Sequence, residues 1–285
     1  MHKSMRHLVA DDQTELSYRV VGDGPQAVVL LHGWMATGRI FDRLIASLDL
    51  EGMRLLIPDL RGAGASSASR GGYGLPRLGR DVLAIADAED AERFVLVGHS
   101  MGGQLAQWIA CEAPERVVGQ LLMCPVPAVG QPMPAALRWL FHESPGDAEK
   151  LASILEISSL QLPDEARRET LNEALSLSPS YLRGTFETWS RGGFADRLMD
   201  IRCPTLVLTT DDPYFTRELL AGEVQRRIRG ARLVHVAGAG HFPLLEQPEE
   251  TASVVMEFLS GLKGQGGTMP PPSGPSRSQE GRLQA

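Results

Sequence analysis

Cysteine is scarce in this chain: three among 285 residues, standing apart at Cys111, Cys124 and Cys203. An odd, dispersed set with no C-x-x-C pair excludes a disulfide framework and a cysteine-based zinc site. Cys124 and Cys203 lie in or beside apolar runs and read as small buried hydrophobes. That usage fits a reducing, cytoplasmic setting. Dense basic blocks are also missing and the net charge is −7, so neither nucleic acid nor an anionic membrane is an expected partner. No apolar run approaches the roughly 20 residues needed to span a bilayer. The opening Met1-His2-Lys3-Ser4-Met5-Arg6-His7 leads to Asp11-Asp12-Gln13 without the apolar stretch of a secretory signal. There is no G-x-G-x-x-G after a strand-like run and no His/Cys spacing suited to a metal, so neither a metal nor an organic cofactor is expected.

What is present is ordinary globular material, 43% apolar and 22% charged, long enough for one large α/β domain or two small ones. Short apolar runs at 16–21, 27–31, 54–57, 94–97, 118–124, 205–208 and 232–236 read as strands, the first two as an opening pair. Helical stretches at 41–48, 78–90, 101–111, 218–228 and 249–262 fall between and after them. Continuous apolar runs suit strands buried on both faces, so the alternation predicts a doubly wound, mostly parallel sheet. Residues 127–200 break the rhythm, with amphipathic helices at 135–142, 147–160, 165–177 and 180–190 separated by Pro or Gly. This segment is expected to form a helical lid over the C-terminal strand ends, where such sheets bind ligands. The core then comprises 1–126 and 201–263, and the Gly/Pro/Ser-rich 264–285 is expected to be a disordered tail.

Gly98-His99-Ser100-Met101-Gly102 links the apolar run 94–97 to the helical run 104–110. Two glycines flanking a serine let strand and helix approach closely, which pushes the hydroxyl out of a tight turn toward a substrate. A serine hydroxyl is a weak nucleophile near neutral pH and needs a base, which in turn needs an orienting carboxylate. Among the histidines after Ser100, His142 lies in the helical segment and His235 within a strand. His241 stands in the loop Ala239-Gly240-His241-Phe242-Pro243 and is the expected base. The run 205–208 ends in Thr209-Thr210-Asp211-Asp212-Pro213. Asp212 is the preferred acid, with Asp211 a real alternative. For the oxyanion, one backbone N–H is expected from Met101 and a second from Trp34, in the loop after 27–31.

Five segments occur in order: Leu30-Leu31-His32-Gly33-Trp34, Pro58-Asp59-Leu60-Arg61-Gly62-Ala63-Gly64-Ala65-Ser66, Gly98-His99-Ser100-Met101-Gly102-Gly103, Cys203-Pro204-Thr205-Leu206-Val207-Leu208, and Gly240-His241-Phe242-Pro243-Leu244-Leu245-Glu246-Gln247-Pro248. Together, over residues 14–262, they resemble the serine-nucleophile branch of the α/β-hydrolase fold superfamily. The resemblance implies that Asp59 and Arg61 tie a loop beneath the active site and take no part in the chemistry. It also implies the order Ser100, acid, His241. Two departures stand out. Thr209-Thr210 occupies a loop that usually carries a glycine and is one residue short, which keeps Asp211 and Asp212 both open, and Trp34 replaces an extended glycine run. Dehalogenases and epoxide hydrolases carry Asp at the elbow, where this chain has Ser100.

The expected activity is hydrolysis of a small-molecule ester, lactone or related acyl compound through an acyl-enzyme. The alternatives are a carbon–carbon bond hydrolase, with Arg138, Arg183 or Arg191 meeting a carboxylate, a cofactor-free perhydrolase, and a ligand receptor that retains the triad. Leu137, Trp139, Phe141, Leu182, Phe186 and Trp189 either line a pocket or pack the lid helices, and their helical spacing favours packing.

Overall fold

In the computed structural model, residues 3–66 and 71–265 are described. Eight strands form one sheet: β1 (Lys3–Val9), β2 (Glu15–Gly22), β3 (Gln26–Leu31), β4 (Met53–Pro58), β5 (Phe94–His99), β6 (Val117–Met123), β7 (Thr205–Thr209) and β8 (Arg232–His235). Their order across the sheet is β1-β2-β4-β3-β5-β6-β7-β8. β2 runs antiparallel to β1 and β4, and every other pair is parallel. The continuous apolar runs of β3 and β5 bury Val28, Val29, Leu30, Phe94, Val95 and Leu96 completely or nearly so, as strands covered on both faces must. β2 does not pair with β3. The expected opening pair is split because β3 inserts between β4 and β5.

This insertion positions the site. The chain leaves β3 toward β4 on one side and leaves β5 toward β6 on the other, so the loops after β3 and β5 diverge over a crevice at the strands' C-terminal ends. Helices α1 (Asp42–Ala46), α2 (Leu75–Ala88) and α3 (Met101–Glu112) belong to the crossovers. Between β6 and β7 lie four helices: α4 (Ala135–Glu143), α5 (Ala148–Ser158), α6 (Asp164–Ser176) and α7 (Pro179–Arg191). Local signals delimit them. The Asp147 carboxylate caps α5 by accepting from Glu149 N and Lys150 N. Ser178 caps α7, Pro179 opens it, and it stops at Gly192 with φ 57°. After β7 come α8 (Arg217–Glu223), then β8, α9 (Pro243–Glu246) and α10 (Pro248–Gln265). Residues 264 and 265 thus belong to α10, which shortens the expected tail, and 266–285 lie outside the described residues. No helix among the described residues is long and apolar enough to cross a membrane.

Candidate active site

Ser100 forms the turn between β5 and α3 at φ 54° and ψ −118°, a region costing a non-glycine residue about 1–3 kcal/mol. The flanking glycines make the turn possible. A Cβ on Gly98 would stand 2.4 Å from the Gly102 carbonyl oxygen, and one on Gly102 would stand 2.1 Å from that of Leu31. The loop after β3 presses equally close, since a Cβ on Gly33 would meet His99 Nδ1 at 3.0 Å and Ser100 Cβ at 3.1 Å. His32 anchors this loop. Its Nδ1 lies 2.9 Å from the Gly33 carbonyl and its Nε2 accepts from Leu60 N at 3.0 Å. Burial lowers the His32 pKa below that of an ordinary imidazole, which suits a ring that must accept at Nε2.

Met101 is the first residue of α3, where backbone N–H groups have no partner within the helix and the helix dipole is positive. Neither Met101 N nor Trp34 N has an acceptor among the described residues. The Trp34 side chain does: its Nε1 donates to the Leu182 carbonyl in α7 at 2.8 Å.

The acid loop separates its two aspartates. Asp212 is 3% exposed; its Oδ1 accepts from Tyr214 N at 2.8 Å and Phe215 N at 3.1 Å, and its Oδ2 lies 2.5 Å from His241 Nδ1. Burial alone would raise its pKa. The neighbouring His241 and the two backbone N–H groups outweigh burial and hold it below the ordinary carboxylate value. Asp211 is exposed and turns away, accepting from Gly238 N at 2.7 Å and facing His235 Nε2 at 3.2 Å. Of the two candidates, Asp212 meets His241. His142, by contrast, pairs with its neighbour Glu143 on the exposed face of α4.

His241 is fixed through its backbone. Its N–H donates to the Ser158 carbonyl at 2.7 Å, and its own carbonyl accepts from His99 Nε2 at 2.8 Å. The ring stacks on Phe215 with centroids 5.1 Å apart. Sequence reasoning assigned no role to Glu246, which braces both neighbours of His241. Glu246 Oε2 accepts from Gly240 N at 3.0 Å, and from Leu160 N and Gln161 N beyond α5 at 2.8 and 2.7 Å. Its Oε1 accepts from Phe242 N at 3.1 Å. Only the spacing five residues after His241, in a proline-bounded turn, was visible in the sequence.

Ser100 and His241 face one cavity of about 50 Å³. Among the described residues the serine hydroxyl makes no hydrogen bond with the ring; without substrate such contacts are often long and tighten only in the complex. Trp34 and Phe215 line the cavity from the sheet side, and Leu137, Phe141, Ile154 and Trp189 from the helical segment. The segment's aromatics therefore divide. Phe141 and Trp189 reach the cavity, Phe186 is wholly buried, and Trp139 is 59% exposed. The donor atoms of Cys124, Asp212 and His241 lie within 4.8 Å of one another. They make a poor metal set, because Asp212 and His241 engage each other and burial pushes the Cys124 thiol well above its usual pKa. All three cysteines are free and buried.

A parallel sheet with a strained serine elbow at its switch point matches a known group of proteins, and residues 28–254 match the alpha/beta hydrolase family. The chain belongs to the alpha/beta hydrolase family, and is a hydrolase enzyme. It is 28% identical over 245 residues to a pimeloyl-(acyl-carrier protein) methyl ester esterase of Nitrosomonas europaea, covering 81% of this chain and 94% of that one. It is 25% identical over 279 residues to a 2-hydroxy-6-oxononadienedioate/2-hydroxy-6-oxononatrienedioate hydrolase of Paraburkholderia xenovorans, covering 90% and 95%. The fold is shared with an esterase of Exiguobacterium antarcticum, with a TM-score of 0.82, 23% identity and coverage of 90% and 98%.

Proposed function

We propose that the protein hydrolyses a small-molecule ester or lactone through Ser100, His241 and Asp212. The observation that carries this reading is the 2.5 Å contact of buried Asp212 with His241 Nδ1, on the wall of a cavity shared with Ser100. With Nδ1 held, Nε2 is the nitrogen left to take the Ser100 proton as the hydroxyl attacks the substrate carbonyl. The oxyanion then forms beside the Met101 and Trp34 N–H groups, which need no reorganisation to receive it. His241 returns the proton to the leaving alcohol, Asp212 stabilises the imidazolium, and water cleaves the acyl-enzyme by the same steps in reverse. Residues 127–200 serve as the lid of this site, since α4, α5 and α7 supply part of its wall.

A carbon–carbon bond hydrolase for acidic substrates calls for a cation at the cavity. Arg138 and Arg191 instead pair with Glu187 at 3.1 and 2.7 Å, and among the described residues no Arg or Lys lines the cavity. The test is labelling by a fluorophosphonate together with turnover of p-nitrophenyl esters. Wild type should be labelled once and turn over; Ser100→Ala should lose the label and on the order of 10³-fold or more of the rate. Stoichiometric labelling of the Ala variant overturns the assignment, and a labelled protein that turns over no ester points to a receptor.

A further inference from the structure

Two polar atoms on residues of the cavity wall are buried and have no hydrogen-bond partner among the described residues: Trp189 Nε1 and Gln131 Oε1. Trp189 is 4% exposed. The rings packed against it, Trp34, Phe141 and Phe186 at 6.3, 5.6 and 5.1 Å, offer π faces, which are weak acceptors, and no lone pair. Gln131 is fixed beside it. Its backbone N–H donates to the carbonyl of Ser190, the residue after Trp189, at 3.0 Å, and its Nε2 donates to the Tyr214 carbonyl at 3.4 Å. That second bond leaves the oxygen as the free end of the carboxamide. The wall therefore holds one donor and one acceptor, on the last turn of α7 and on the stretch before α4, and the Gln131 N–H bond to the Ser190 carbonyl ties those two segments together.

Buried polar groups in folded proteins are paired as a rule, and a few placed polar groups in an apolar pocket are what orient a ligand. We propose that Trp189 and Gln131 recognise a secondary amide in the acyl part of the substrate, its C=O accepting from Trp189 and its N–H donating to Gln131. A purely aliphatic acyl chain would leave both atoms unpaired. A carboxylate offers acceptors only and would set its charge against the Gln131 oxygen, with no Arg or Lys among the described residues of the wall to hold it. An amide supplies one acceptor and one donor on different atoms and carries no charge. This assignment deepens the ester-hydrolase reading and rests on it.

Three matched p-nitrophenyl esters test it, with an amide, a ketone or a methylene group at the same place in the acyl chain. In wild type, kcat/KM should rank amide above ketone above methylene, with about tenfold or more between the extremes, because a site built to bond a polar group rejects the analogue lacking it. Trp189→Phe should remove the preference for ketone over methylene, and Gln131→Met the preference for amide over ketone. These ratios are read within each variant, so general packing damage cancels. Equal rates on all three esters in wild type, or ratios unchanged in both variants, overturn the proposal while leaving the ester-hydrolase reading intact. If wild type turns over none of the esters, that reading fails instead. Calorimetric binding of the three corresponding carboxylic acids then reads the same ratios, and equal affinities overturn the amide site.

Discussion

Two aspartates adjacent in sequence, just after β7, end in opposite surroundings. Asp212 is enclosed by Phe215 and His241 and accepts three hydrogen bonds, whereas Asp211 lies at the surface against His235 and Gly238. The chemistry assigned to the pair should divide in the same way. Asp212→Asn keeps the side-chain shape but removes the anion that orients His241 and stabilises its protonated form, so kcat should fall by roughly 10⁴ with the fold intact. Asp211→Asn removes an exposed acceptor and should change kcat by less than about threefold. Steady-state ester kinetics on both variants, with circular dichroism to check the fold, decide the matter; a dead Asp211→Asn beside an active Asp212→Asn reverses the assignment. The sequence left these two open for a physical reason. The missing glycine in the loop hid its turn, and only the bonds from Tyr214 N and Phe215 N define which carboxylate faces inward. Ser100 and His241 could be singled out as candidates because each stands in a local pattern with its own steric logic.

At the scale of elements, the helical segment between β6 and β7 is bonded to the two loops that carry Trp34 and His241. Trp34 ties the loop after β3 to α7 through Leu182, and Glu246 ties the His241 loop to the chain leaving α5 through Leu160 and Gln161. In the proposed mechanism Glu246 acts as a positioning residue: it receives the N–H groups on both sides of His241. Glu246→Gln replaces one accepting oxygen with a donor facing other donors. It should lower stability by about 1–3 kcal/mol and kcat by about tenfold, with KM for a small ester little changed. Urea unfolding and steady-state kinetics would measure both, and partial rescue of kcat by Glu246→Asp would mark positioning; a stability loss with unaltered kcat would reduce Glu246 to a structural brace. None of these ties has a period in sequence, which is why the helices themselves were readable and their attachments were not. The four helices between 135 and 191 fell close to their expected bounds because caps and prolines delimit them. β1 escaped notice because it is an edge strand: most of its side chains, Met5 and Val9 among them, are exposed, so neither alternation nor an apolar run marks it.

For the whole molecule, the buried histidines couple stability to pH in a range where most proteins are steady. His99 is 1% exposed, donates from Nε2 to the His241 carbonyl, and has no partner for Nδ1 among the described residues. A second proton would sit on Nδ1 with no acceptor. Burial first, then the proximity of His241, lower its pKa to about 3, against smaller opposing effects of the His241 carbonyl and Asp212; His32 is lowered as well, chiefly by burial. In the unfolded chain both rings take up protons near pH 6.5. A depressed folded-state pKa means that the unfolded state binds more protons, so stability is complete above about pH 6.5 and is lost as pH falls toward the folded value. With its folded value at about 3, His99 contributes a slope of about 1.4 kcal/mol per pH unit within that window, and the lowered His32 adds to it with the same sign. Asp212 follows the same sign in a lower window, its contribution complete above the ordinary carboxylate value of 3.8 and lost below it. Unfolding free energies from urea titrations at pH 7, 6 and 5 should therefore decline across that range. His99→Gln retains an N–H donor for the His241 carbonyl and cannot be protonated, so its decline should be shallower than wild type by about 1.4 kcal/mol per pH unit between pH 6 and 5. Parallel curves for the two proteins would show that His99 is protonated in the native state, and the neutral, Nε2-donating ring beneath His241 would have to be abandoned.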